Sequence, residues 1–139
     1  MFALERFLPY RLAVLAQRVS RDFSAIYRER FGLSVAEWRV LAHLSAAGSV
    51  SVREIHLHAD LEKSKASRAA ARLEEAGLIE KRAGEGDRRL VALTLSPKGR
   101  ETMAALIPLA EAYEAAVLAR LAPEDRAALD RAIAALTER

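Results

Sequence analysis

The feature that most constrains this chain lies between Ser51 and Leu95. A short apolar-bearing stretch runs into a tight connection through Asp60 and Leu61. A basic stretch follows and stops at Gly77, and two short apolar runs then flank Gly84 and Gly86. Short helix, short turn and basic helix is the order of a helix-turn-helix, and the two runs after it read as a β-hairpin. From Lys63 to Arg72 the chain places Lys63, Lys65, Arg68 and Arg72 among Ser and Ala with no acid between them. Cations beside short hydroxyls can approach the phosphates and base edges of double-stranded DNA. Taken alone, this window also suits an ordinary amphipathic surface helix. The hairpin behind it favours the DNA reading.

At ~100° per residue, Ala66, Ala69, Ala70 and Leu73 fall on one side of the basic helix and Ser64, Arg68, Ala71 and Arg72 on the other, with Lys65 and Ser67 flanking. The first group is expected to pack and the second to face solvent. Arg68 carries the planar fork that binds guanine O6 and N7. Ser64 and Ser67 are short enough for phosphate or base contacts, and Lys65 and Arg72 suit phosphates, which fix orientation without reading sequence. The turn AGEGDRR puts Arg88 and Arg89 near a hairpin tip, where a guanidinium can enter a minor groove; a charged, solvated loop is the other reading of that turn. Asp87 beside two arginines makes a poor phosphate contact, so it reads as the acid that orients a wing arginine.

The rest of the chain reads as helices. Residues from about Leu4 to Arg30 carry apolar positions at helical spacing, including Leu8, Leu12, Leu15, Val19, Phe23 and Tyr27. Ser34 and Glu37 form a capping-box signature for a second helix bearing Trp38, Leu41 and Leu44, closed by Gly48. Ser51 and Glu54 repeat that signature and predict the start of the short third helix. The basic helix is expected over roughly Glu62 to Ala76. Val91, Leu93 and Leu95 alternate as a strand, Ser96 and Pro97 open a long helix that Pro108 should bend or interrupt, and Pro123 starts the last one. The expected fold class is mainly α (α+β), with a DNA-binding region over 33–96 and helical segments at 1–31 and 97–139.

Composition narrows the function classes. Of 139 residues 52% are apolar, enough for a core, and net charge is only +3, so the placing of the basic residues matters more than their number. With no cysteine, a disulfide framework, a thiolate metal site and thiol sensing are excluded. His56 and His58 stand two apart on a helix and point away from one another, so neither a metal nor a cofactor is expected. No nucleophile elbow, phosphate loop or paired-carboxylate spacing suggests an enzyme. The first apolar stretch is broken by Glu5, Arg6, Pro9 and Arg11, which speaks against a signal peptide or membrane span and for a cytoplasmic protein.

The pieces LSVAEWRVL at 33–41, EKSKASR at 62–68, RLEEAGLI at 72–79, GDRRLVALTLSPKG at 86–99 and LAPED at 121–125 together resemble the multiple antibiotic resistance regulator (MarR) family of winged-helix transcription factors, over essentially the whole chain. The resemblance implies a homodimer whose first and last two helices form the shared interface. It also implies a pseudo-palindromic operator and, usually, repression relieved by a small ligand. On the family pattern the arginine paired with Asp87 is Arg89. Glu62 departs from the usual Ser or Asp cap, Asp60 stands where Gly is frequent, and Lys65 and Ala66 replace frequent Thr and Val. Ala122 lacks the hydroxyl expected before Pro123.

Dimerisation is also expected on physical grounds, because the terminal helices carry more apolar surface than a winged helix of about 65 residues can cover. Family members often bind aromatic or phenolic effectors between the dimer helices and the winged helix. Tyr10, Arg11, Trp38, Arg39 and His43 offer aromatic faces and cations for such a ligand. Trp38 suits a core position as well, and Arg39 a salt bridge between regions. Beside the operator-reading regulator stands a second class, a winged helix serving as a protein-interaction or architectural DNA-binding module.

Overall fold

The computed structural model describes residues 1–83 and 91–138. The chain divides into two compact units, Met1–Leu106 and Ile107–Arg139. A 3-10 turn at Leu4–Arg6 precedes helix α1, Leu8–Phe31. The helix begins later than the apolar spacing suggests because Pro9 occupies its first turn, where a missing N–H costs nothing. Gly32 ends it in the left-handed conformation at φ 66°. Helix α2, Val35–Ala47, opens on the expected capping box: the Glu37 N–H donates to Ser34 Oγ at 3.2 Å, and the Ser34 N–H donates to Glu37 Oε1 at 3.3 Å.

The next segment differs from expectation. Ser49–Ser51 forms strand β1, and Ser51 therefore caps no helix. Its Oγ accepts the N–H of Arg53 in a local turn at 3.2 Å. The short helix α3, Ile55–His58, starts after Glu54 with no side-chain cap. The physical reason is the sheet. Val50 is buried, and pairing its strand satisfies backbone groups that a longer α3 would have left over.

Helix α4, Lys63–Glu75, ends in a Schellman arrangement: the Leu78 N–H donates to the Leu73 carbonyl at 2.9 Å, the Gly77 N–H to that of Glu74 at 3.0 Å, and Gly77 has φ 78°. Strands β2, Ile79–Ala83, and β3, Val91–Leu95, pair antiparallel from Ile79 with Leu95 to Ala83 with Val91. β3 lies between β1 and β2 in the antiparallel three-stranded sheet.

Helix α5, Pro97–Leu118, is not interrupted at Pro108, and α6 covers Pro123–Thr137. The start of α5 explains the run Ser96-Pro97-Lys98-Gly99. Ser96 Oγ accepts the Gly99 N–H at 3.0 Å as an N-cap and donates to the Gly77 carbonyl, while the Ser96 N–H donates to the Leu78 carbonyl at 3.0 Å. Lys98 Nζ donates to the Ala76 carbonyl at 3.0 Å. These bonds tie α5 to the end of α4. A Cβ at position 99 would stand 2.0 Å from the Leu78 carbonyl oxygen, so only glycine fits.

The core of the first unit gathers Tyr27, Leu41, Leu44, Ile55, Leu73, Ile79, Leu93 and Leu106. Burying each leucine or isoleucine contributes about 1.5–3 kcal/mol. In contrast, Leu8, Leu12 and Leu15 of α1 are about half exposed, and α6 buries no residue at all. Leu129, Ile133 and Leu136 of α6 are exposed at spacings that place them along one face. Among the described residues, no single helix is long and apolar enough to cross a membrane.

Candidate nucleic-acid interface

α4 presents the two faces read from its sequence. Ala66, Ala69, Ala70 and Leu73 are buried, and Lys63, Ser64, Lys65, Ser67, Arg68, Ala71 and Arg72 are exposed. Small alanines let α4 lie close to the elements beneath it, so its polar side projects outward. Among the described residues no ion pair engages Lys63, Lys65 or Arg68. Arg72 differs: its Nε lies 3.6 Å from Oε1 of Glu37, the acid that also caps α2. Lys81 and Arg82 on β2 face Glu74 at 3.6 Å and Glu80 at 3.3 Å, respectively. The wing residues Asp87, Arg88 and Arg89 lie outside the described residues.

The turn into α4 has its own support. Asp60 adopts φ 53°, the left-handed region that suits glycine. Arg39 of α2 donates Nη1–H to its carbonyl at 3.1 Å, and the Leu61 N–H donates to the His56 carbonyl at 2.9 Å. Asp is among the few residues that tolerate this conformation, which accounts for its presence where the resemblance leads one to expect Gly.

The five residues singled out for a ligand do not share one cleft. Tyr10 and Arg11 line a groove along α1 with Leu8 and Leu15. Trp38 packs edge-on to Phe23 at a centroid distance of 5.1 Å and stacks on Tyr27 at 5.6 Å. Burial raises the pKa of the Tyr27 hydroxyl, and the charges of Arg28 and Arg39 oppose the rise. The ring of His43 lies 6.3 Å from that of His58. Arg39, however, borders two clefts. One, of about 530 Å3, runs between α1 and α2 past Arg21, Ser24 and Arg28. The other, of about 490 Å3, is lined by Arg28, Ser34, Val35, Ala36, Arg39, Leu61, Lys65, Arg68 and Arg72. In the sequence Arg28 is one more polar position of the first helix, and Ser34 is only a cap. Periodicity carries no sign that they meet Lys65 and Arg68.

An exposed cationic helix, mounted on alanines behind a short helix and a tight turn and followed by a two-stranded wing, is an arrangement made for nucleic acid. Comparison with known proteins agrees. Residues 31–90 match the MarR family. An HTH-type transcriptional repressor of Mycobacterium bovis is 32% identical over 122 residues, which cover 86% of this chain and 84% of that protein. The chain belongs to the MarR family. It is a DNA-binding transcriptional regulator, and the fold is that of its family: a MarR/EmrR family regulator from Acinetobacter superposes with a TM-score of 0.86 at 27% identity, covering 97% of this chain and 95% of that one. The match to YwoH, an HTH-type transcriptional regulator of Bacillus subtilis, is 39% identical over 67 residues but spans only 49% of that protein. A fold likeness at 23% identity and a TM-score of 0.75, over 92% of this MarR-family chain and 99% of the other, extends to BpsR of Bordetella bronchiseptica, whose DNA binding is regulated by 6-hydroxynicotinic acid.

Proposed function

We propose that this MarR-family chain is a homodimeric repressor that seats two copies of α4 in successive major grooves of a pseudo-palindromic operator and is released by a small aromatic acid. The observation that carries the reading is the acid-free outward face of α4, where Lys63, Lys65 and Arg68 stand unpaired among the described residues over an all-apolar packing face. Arg68 reads a base edge, while Ser64, Ser67, Lys63 and Lys65 hold phosphates. Arg88 and Arg89, with Asp87 orienting Arg89, reach the flanking minor groove. Arg72, held by Glu37, acts chiefly as a mount.

Two features support the dimer: the exposed leucines of α1 and, separately, the bare apolar face of α6, both of which need a partner to leave water. Two-fold symmetry then sets the half-sites about 10 bp apart or a little more. Regulation of BpsR by a hydroxylated aromatic acid supports the same class of effector here.

Gel shifts with the DNA upstream of the chain's own gene, repeated at several salt concentrations, test the reading. Arg68→Ala relaxes base preference at one position per half-site, while Lys65→Ala weakens all sequences alike and lowers the salt slope by about one. If both variants behave alike, the division of roles is wrong. A steep salt slope with no preference between fragments would mark an architectural binder instead.

A further inference from the structure

Arg39 ties the middle of α2 to the turn before α4: its Nη1–H donates to the Asp60 carbonyl at 3.1 Å, across 21 positions of sequence. The donor stands on a rigid mount, because α2 starts on the Ser34–Glu37 capping box and Val40 and Leu41, next to Arg39, are fully buried. The acceptor belongs to a residue at φ 53°, a conformation unfavourable to any side chain and kept only where neighbours hold it. Glu62 adds no side-chain cap, and Lys63, Ser64 and Lys65 are exposed, so Ala66 is the first residue of α4 to be buried. The far end is fastened differently, by the Arg72–Glu37 contact at 3.6 Å and the Leu78 N–H bond to the Leu73 carbonyl.

We propose that Arg39 is a positioning residue for base reading: by holding the Asp60 carbonyl it fixes the tilt of α4 and thereby the placing of Arg68, while touching neither base nor phosphate itself. The proposal rests on the reading of α4 as the DNA-facing helix. With its far end fastened, α4 freed from Arg39 tilts about that end. Arg68 lies about 10 Å from it at 1.5 Å per residue, so a tilt of about 10° moves Arg68 by about 2 Å. A recognition contact tolerates only about 0.5 Å. Lysines on flexible stems still find phosphates after such a shift, whereas the planar fork of an arginine loses its base edge. Arg39 thus governs preference between sequences more than affinity for DNA as such.

Gel shifts of the full chain with a promoter fragment and a scrambled duplex of equal length, at several salt concentrations, test the proposal. Arg39→Met loses about tenfold in preference for the promoter, as the loss of one bidentate base contact does, and keeps its affinity for the scrambled duplex and its salt slope. Arg39→Lys, which retains a donor, restores most of the preference. Asp60→Asn leaves it unchanged, because the bond is to the backbone carbonyl. Unaltered preference in Arg39→Met overturns the proposal. So does equal weakening on both duplexes with a salt slope lower by about one, which marks Arg39 as a phosphate contact. Amide hydrogen exchange without DNA gives a second readout. In Arg39→Met the Leu61 and Ala66 N–H groups, bonded to the His56 and Glu62 carbonyls, exchange about fivefold faster, as the loss of one exposed hydrogen bond allows, while those of Ala76, Gly77 and Leu78 keep their rates. Faster exchange at both ends alike means a general loss of stability and overturns the proposal. If the unmodified chain binds no promoter fragment, the DNA-facing reading falls; the exchange pattern then still decides whether Arg39 holds the start of α4.

Discussion

Gly99→Ala adds one methyl group, and the structure allows its effect to be worked out. The new Cβ would lie 2.0 Å from the Leu78 carbonyl oxygen and 3.0 Å from the carbonyl carbon. Carbon and oxygen approach comfortably only at about 3.3 Å or more, so α5 or the α4–β2 corner must move by more than about 1 Å. Neither side is free to do so. The Leu78 carbonyl accepts the Ser96 N–H at 3.0 Å, Ser96 Oγ donates to the Gly77 carbonyl, and Lys98 Nζ reaches the Ala76 carbonyl. Overpacking costs about 1–3 kcal/mol, and breaking the Ser96–Leu78 bond adds about 1 kcal/mol. Alanine returns about 1 kcal/mol through helix propensity. The net loss is about 1–3 kcal/mol.

Urea denaturation followed by circular dichroism measures it. With a slope of about 1–3 kcal/mol per molar urea, the midpoint falls by about 1 M. Both proteins are compared at one concentration, because a dimer's midpoint depends on it. A midpoint equal to or above that of the parent would falsify the close-approach argument, since propensity alone predicts a gain.

Two more outcomes follow from single residues. Asp60→Gly relieves the left-handed backbone at φ 53° and raises thermal stability by roughly 0.5–1 kcal/mol after the entropy cost of glycine; a lower melting temperature contradicts the turn as described. Burial raises the pKa of Tyr27 above its ordinary 10.0, so between the unfolded and folded values the native state keeps a proton that the unfolded chain has lost. Its contribution to stability is thus complete below about pH 10 and declines as pH rises through the folded value. Tyr27→Phe flattens that alkaline decline in chemical denaturation series, and identical declines in both proteins refute it.

Local bonding was legible in the sequence, and long-range assembly much less so. The Ser34–Glu37 box forms atom for atom because a capping box needs only residues three apart and has no competitor there. The split of α4 into buried alanines and exposed cations follows from helical period alone. Ser51 and Glu54 carry the same signature, yet Ser51 pairs with Ala92 in the sheet, a partner that no local window contains. The basic cleft was hidden for the same reason. Arg28, Arg39 and Arg68 come from three helices, and only packing brings them to one place. Conversely, Asp60 is an unusual turn residue by sequence alone, and its positive φ gives that departure a conformational cause.

The two ends of α4 have different mechanical roles, and this bears on where specificity can reside. At its C-terminal end Arg72 meets Oε1 of Glu37, the same oxygen that accepts the Ser34 N–H, so one carboxylate joins the end of α4 to the start of α2. The Schellman turn and the Ser96 bonds hold the residues just beyond. The other end has no side-chain cap and is held by the Arg39 bond to the Asp60 carbonyl and the backbone bond from the Leu61 N–H to the His56 carbonyl. Long side chains near that end, on Lys63, Lys65 and Arg68, keep their rotamer freedom in the unbound chain, whereas the backbone carrying them is mounted on buried alanines. Binding then costs side-chain entropy but little backbone ordering. Residues of the N-terminal part of a recognition helix are the ones that reach base edges. A helix clamped by side chains at its far end, with long exposed cations near its other end on a backbone mounted on buried alanines, is therefore suited to reading sequence.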